Sequence, residues 1–153
     1  MYICAVTSIL IIRLSSIGDI VLTSPVIRCI KEQLDKTHIT YLTKPQYEQL
    51  LKPNPNVDEI ILWEGSETVA KLKSKKFDYV IDLHHNIRTM RIKKALSAQS
   101  YSFPKKNVQK WLKVSFKMDI MPKVHIVDRY FEAVRPIGVK NDLKGLEYHF
   151  KKP

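Results

Sequence analysis

The sequence predicts a doubly wound α/β fold on a mostly parallel sheet, folded as one domain over residues 1–153. Three observations carry this expectation. Short branched-aliphatic runs recur along the chain, stretches of helical spacing lie between them, and the connections are brief, which together describe βαβ units. The 153 residues hold one domain with a real core but are too few for a β/α barrel. With 44% apolar and 27% charged residues the mixture is globular, and 4 glycines, 8 prolines and 2 cysteines exclude collagen-like, low-complexity and disulfide-framework classes.

The first strand is SILIIRL, Ser8 to Leu14, a nearly continuous aliphatic run suited to burial on both faces. Ser15, Ser16, Ile17 and Gly18 break it. After Asp19, Ile20, Ile27, Ile30 and Leu34 recur near helical spacing. Pro25 falls inside that helix. Either the helix kinks there, or a first turn at Asp19 is followed by a fresh start with Ser24 as cap and Pro25 at the first helical position. A strand at His38 to Thr43, a short helix at Pro45 to Leu51, a turn at Pro53 to Asn56 and a strand at Asp58 to Trp63 follow. Glu67 to Ser74 reads as a helix, DYVIDL from Asp78 to Leu83 as a buried strand, Asn86 to Leu96 as a basic helix, and Gln99 to Phe103 as a strand. Asn107 to Met118 mixes lysines with Trp111 and Phe116 and fits no single element. His125 to Val134 is helical with Val127, Tyr130, Phe131 and Val134 on its apolar side, and Gly138 is placed to end it. Beyond Val139 no period is evident, and the chain closes on Lys151, Lys152 and Pro153 as though more should follow.

The formal charge is +11, and Arg88 to Lys123 holds ten basic residues against Asp119 alone, so +9 of it lies in one stretch. An anionic partner is expected: a phosphorylated ligand, an acidic membrane surface or a nucleic acid. Neither exposed stacking aromatics in a groove nor a recognition helix is visible, so nucleic acid is the least favoured. No run approaches the roughly 20 apolar residues that cross a bilayer, and the opening run lacks a basic leader or cleavage site. A cytoplasmic chain without a structural zinc site is the expectation.

Two strand ends carry the candidate chemistry, because ligands of open parallel sheets bind outside the carboxyl ends of the strands. At the first, Ser15, Ser16, Ile17, Gly18 and Asp19 join strand to helix. Gly18 permits close backbone approach or positive φ, helix amides favour anions, and Asp19 either caps the helix or acts as a carboxylate at the mouth. No G-x-G-x-x-G fingerprint is present. At the second, Asp82 to Arg88 closes the strand DYVIDL. The adjacent His84 and His85 diverge and suit metal poorly. Asn86 is a candidate cap. Arg88 either holds a carboxylate or phosphate in a forked pair or joins Arg91, Lys93 and Lys94 on a solvated face.

The block ILIIRLSSIGDIVLTSPVIRCIK from Ile9 to Lys31, with DYVIDLHHNIRT and HIVDRYFEAV, resembles the bacterial heptosyltransferases of glycosyltransferase family 9, from about Ile9 to about Val139. The resemblance implies a Rossmann-like amino-terminal, acceptor-side domain of a GT-B enzyme, with the donor-binding carboxyl-terminal domain outside this chain. It implies inverting, metal-independent transfer of heptose from ADP-heptose, a substrate rather than a cofactor, to the lipopolysaccharide inner core. Asp19 matches the family's catalytic base, with Ser15, Ser16 and Gly18 shaping the loop and Asn86 and Arg88 on the substrate side. The implied partners are an anionic lipid-linked oligosaccharide and the nucleotide sugar, met at the cytoplasmic face of the inner membrane. The isolated chain would be nearly inactive. Many relatives carry a Gln-Gly type turn where this chain has His85 and Asn86, so the acceptor sugar does not carry over. The alternative is a free-standing basic module for anionic lipid head groups or nucleic acid.

Overall fold

The computed structural model describes residues 5–103 and 126–151. Five strands form one all-parallel sheet: β1 (Thr7–Ile12), β2 (Thr37–Thr43), β3 (Glu59–Leu62), β4 (Tyr79–Asp82) and β5 (Gln99–Ser102), in the order β3-β2-β1-β4-β5. The chain winds outward from β1 through β2 to β3, then returns to pair β4 with the other edge of β1. That reversal is the switch point of a doubly wound sheet, and it opens a crevice beyond the carboxyl ends of β1 and β4.

Alternation within β1 divides the core. Ile9 and Ile11 face one layer with Ile39, Tyr41 and Ile81, against α1 (Ile17–Val21), α2 (Ser24–Gln33), α3 (Glu48–Leu51) and a later helix at Ile126–Val134. Leu10 and Ile12 face the other, with Leu42, Ile61 and Val80, against α4 (Ser66–Ser74) and α5 (Ile87–Leu96). Ile9, Leu10, Ile11 and Ile12 are all fully buried, as a central strand covered on both faces requires. The later helix, α6 (Ile126–Val134), buries Val127, Tyr130, Phe131 and Val134 as its spacing predicts. Asn107 to Met118 lies outside the described residues.

Several boundaries differ from the sequence expectation. β1 ends at Ile12, so Arg13 and Leu14 belong to the connection. The region around Pro25 is two helices rather than one kinked helix. Thr23, not Ser24, is the N-cap of α2, and its hydroxyl is held by the Ile20 carbonyl at 2.6 Å and shares a 3.0 Å hydrogen bond with the Tyr41 hydroxyl. Ser24 instead accepts the Glu147 amide at 2.9 Å. α6 stops at Val134 and a 3-10 turn, Arg135–Ile137, intervenes before Gly138 closes it at φ 84°, a left-handed value that glycine adopts without strain.

Residues 139–151 carry no regular element and are held to α2 by polar contacts. The buried Arg28 forms a forked pair with Asp142, at 2.7 and 2.8 Å, donates to the Gly145 carbonyl at 2.9 Å and lies 3.2 Å from a Glu147 oxygen. Gln33 and the Lys140 backbone exchange reciprocal hydrogen bonds.

Candidate active site

Asp19 stands where the crevice opens. It occupies the third position of α1, and its carboxylate reaches back to the residue that begins the helix: Oδ2 accepts the Ser16 hydroxyl at 2.7 Å and the Ser16 amide at 3.3 Å. An Arg13 guanidinium nitrogen lies 2.8 Å from the same oxygen. Three donors thus converge on Oδ2, while the side chain keeps 35% of its surface open. Burial alone would raise the Asp19 pKa; the Ser16 hydroxyl and amide and the Arg13 charge outweigh it and hold the carboxyl below its ordinary value. The helix-capping role and the exposed carboxylate therefore coexist in one side chain, because both uses need different oxygens. The peptide bond between Ser15 and Ser16 is cis.

Arg13 ties the two strand ends together. Besides Asp19 it donates to the Leu83 carbonyl at 2.7 Å, and its guanidinium lies 6.0 Å from the Tyr130 ring. Its position just past a fully buried strand forces the charge to find partners at the sheet edge. The Tyr130 hydroxyl is buried with no hydrogen-bond partner among the described residues, and burial pushes its pKa up. In the sequence Arg13 reads only as part of the strand SILIIRL, and Tyr130 only as part of an apolar stripe. A guanidinium ending a core strand and a phenol within a helix's buried face were the available signals.

The second strand end is organised around Asp82, which is fully buried. Its carboxylate accepts the His84 and His85 amides at 3.0 and 2.8 Å, and Lys93 of α5 lies 2.9 Å from its other oxygen. Lys93 is thus turned inward, not out onto a solvated face. His85 adopts φ 53°, and its ring lies 5.8 Å from that of Phe103, tilted by 60°. Asn86 caps α5: its side chain accepts the Thr89 amide at 2.9 Å, and its own amide donates to the Thr89 hydroxyl at 3.0 Å. Arg88 is exposed, with its guanidinium 5.8 Å from the Trp63 ring.

Ser16, Asp19 and Arg13 are therefore brought together, whereas Asn86 and Arg88 belong to the neighbouring loop and helix. Of the two possibilities for Gly18, positive φ is not adopted. The residue sits within α1, and a Cβ there would meet nothing within 4 Å, so open space rather than backbone conformation distinguishes it. No group of three or more His, Cys, Asp or Glu side chains among the described residues is arranged to hold a metal ion.

His84 reports the field at this edge. Burial lowers its pKa first, and Arg13, Lys44 and Arg88 lower it further against the opposing pull of Asp82. Its NMR titration should have a midpoint below 6.5, and replacing Arg13 with Gln should move that midpoint upward. Because the folded state resists this proton, His84 costs stability as pH falls below the unfolded histidine value, with the loss complete once pH passes the lower folded value. A His84 midpoint at or above 6.5 would contradict the surrounding positive field.

No family model matches the chain. The lipopolysaccharide core heptosyltransferase OpsX of Haemophilus influenzae is 26% identical over 141 residues, covering 86% of this chain and 41% of that protein. Lipopolysaccharide heptosyltransferase 1 of Campylobacter coli is 23% identical over 133 residues, covering 80% and 39%. The chain thus spans about two-fifths of the length of the curated relatives it matches. Among solved structures, the glycosyl transferase family 9 protein of Veillonella parvula superposes with a TM-score of 0.68 at 22% identity, covering 95% of this chain and 46% of that one. E. coli heptosyltransferase WaaC with ADP gives 0.72 at 18% identity, covering 92% and 50%. In sequence the chain is similar to lipopolysaccharide heptosyltransferases, and in fold to glycosyltransferase family 9, in each case over half or less of the partner's length.

Proposed function

We propose that this chain is the amino-terminal, acceptor-side domain of an inverting heptosyltransferase that moves heptose from ADP-heptose to the lipopolysaccharide inner core. The observation that carries the reading is Asp19: a carboxylate at the switch-point crevice, steadied through Oδ2 by Ser16 and Arg13 and open to solvent elsewhere. Oδ1, which none of those donors occupies, takes the proton of the acceptor hydroxyl as its oxygen bonds to the anomeric carbon. The bond from that carbon to the ADP diphosphate breaks on the opposite face, with no metal ion required. Inversion follows from this single displacement.

Ser15 and Ser16, with Gly18 in the first turn of α1, lie between acceptor and donor, and Arg88 with neighbouring cations meets the acceptor's anionic groups at the cytoplasmic face of the inner membrane. A second domain supplies the groups that stabilise the departing diphosphate, so residues 1–153 alone are expected to be nearly inactive. The complete protein, given ADP-heptose with a heptose-free and, separately, a heptose-bearing core acceptor, should add one heptose by mass to one of them, and the 153-residue chain should add none. Absence of transfer by the complete protein would sink the reading in favour of a basic binding module, and full-rate transfer by the isolated chain would sink the division of labour.

A further inference from the structure

We propose that the outward face of α5, with Trp63 beside it, is a membrane-docking surface whose occupant is an anionic phospholipid bilayer. Helix α5 reads IRTMRIKKAL, with Arg88, Arg91, Lys93 and Lys94 and no acidic residue. Its inward side is Thr89 and Ile92. On its outward side, where an ordinary surface helix carries polar groups, Ile87 is 71% and Met90 54% exposed. Ile87, Met90, Arg91 and Lys94 follow one another at spacings that place them on a single stripe, and all are exposed.

A groove of about 830 Å³ runs between α4 and α5 beside this stripe, lined by Trp63, Val69, Ile87, Arg88, Ile92 and Ala95 among others. Large apolar side chains flanked by long cationic ones suit a lipid interface: the former enter the acyl boundary while the latter keep their charges at the phosphates. A lone charged patch would bind any polyanion, but it has no use for Ile87 and Met90. A nucleic acid would need stacking rings, and the one aromatic ring here lies beneath Arg88. Ile87 opens α5 at the same sheet edge as the Asp19 crevice, so docking by this face holds that crevice beside the head groups. That last step rests on the transfer reading; bilayer binding itself does not.

The test is co-sedimentation of the 153-residue chain with phosphatidylglycerol vesicles and with phosphatidylcholine vesicles. Binding is expected to the anionic vesicles alone. Ile87→Ser with Met90→Ser leaves the net charge untouched and should weaken it roughly tenfold or more, whereas Leu143→Ser with Phe150→Ser, another exposed apolar pair, should not. Arg88→Gln with Arg91→Gln should weaken it as well. Met90→Cys carrying an environment-sensitive fluorophore should shift to the blue on vesicle addition, which keeps the idea testable should the serine variant misfold. Equal binding by the Ile87/Met90 variant, equal binding to neutral vesicles, an unshifted probe, or no binding would each overturn the proposal. Vesicle binding by a complete protein that transfers no heptose would refute the catalytic reading alone, and transfer without vesicle binding would refute this one alone.

Discussion

Asp19→Asn in the complete protein should lower kcat by roughly 10²- to 10⁴-fold while leaving acceptor affinity nearly unchanged. The amide keeps an oxygen that can still accept from Ser16, so the start of α1 survives, but it has no basic atom to receive the hydroxyl proton. Because the side chain is 35% exposed, the substitution should barely move the melting temperature. A retained melting temperature with lost turnover separates chemistry from folding. The pH profile provides an independent reading. Ser16 and Arg13 hold the carboxyl below its ordinary value despite burial, so the wild-type base is ionised throughout the neutral range and the acidic limb of kcat/KM should lie below the ordinary aspartate value. Replacing Arg13 with Gln removes one of those influences and should shift that limb upward. Turnover by Asp19→Asn within about threefold of wild type would dismiss Asp19 as the base.

The central strands were legible because they advertised themselves through burial. SILIIRL and DYVIDL carry too many adjacent aliphatics for an exposed face, and they became β1 and β4, the two strands that frame the crevice. The candidate site was legible in its location and in Asp19, since strand ends in such a sheet are where polar residues collect. Its internal wiring was not. Nothing in local spacing tells that Arg13 reaches the Leu83 carbonyl seventy positions away, or that Lys93 turns in to a buried Asp82. The first pairing depends on β4 lying beside β1, a property of the sheet as a whole, and the second on how α5 packs back against the end of the strand it follows. Of the two roles glycine leaves open at Gly18, a positive φ is not the one taken: the residue is helical, with open space beside it.

Arg28→Met should destabilise the fold by about 3 kcal/mol, near the lower end for removing one partner of a buried ion pair, and so lower the melting temperature by about 6–12 °C. Methionine fills much of the same volume, so the loss would come from what it leaves behind. Asp142 is only 12% exposed and Glu147 28%, and both carboxylates, with the Gly145 carbonyl, lose their shared donor. Because residues 139–151 have no regular element of their own, the damage should appear first as detachment of that segment from α2, read as accelerated amide exchange at Lys144 and Glu147. The pH dependence has a definite sign. Hydrogen bonds from Arg28 hold the Asp142 carboxyl well below the usual carboxylate range, so its stabilising contribution is present above the unfolded aspartate value and is lost as pH falls toward the lower folded one. That acid-sensitive component should vanish in Arg28→Met, and Arg28→Met with Asp142→Leu should recover part of the lost stability because the buried charge is gone from both sides. An unchanged melting temperature and unchanged exchange in Arg28→Met would mean that the segment is held by its other contacts, the Gln33–Lys140 hydrogen bonds and the Glu147 amide on Ser24 among them.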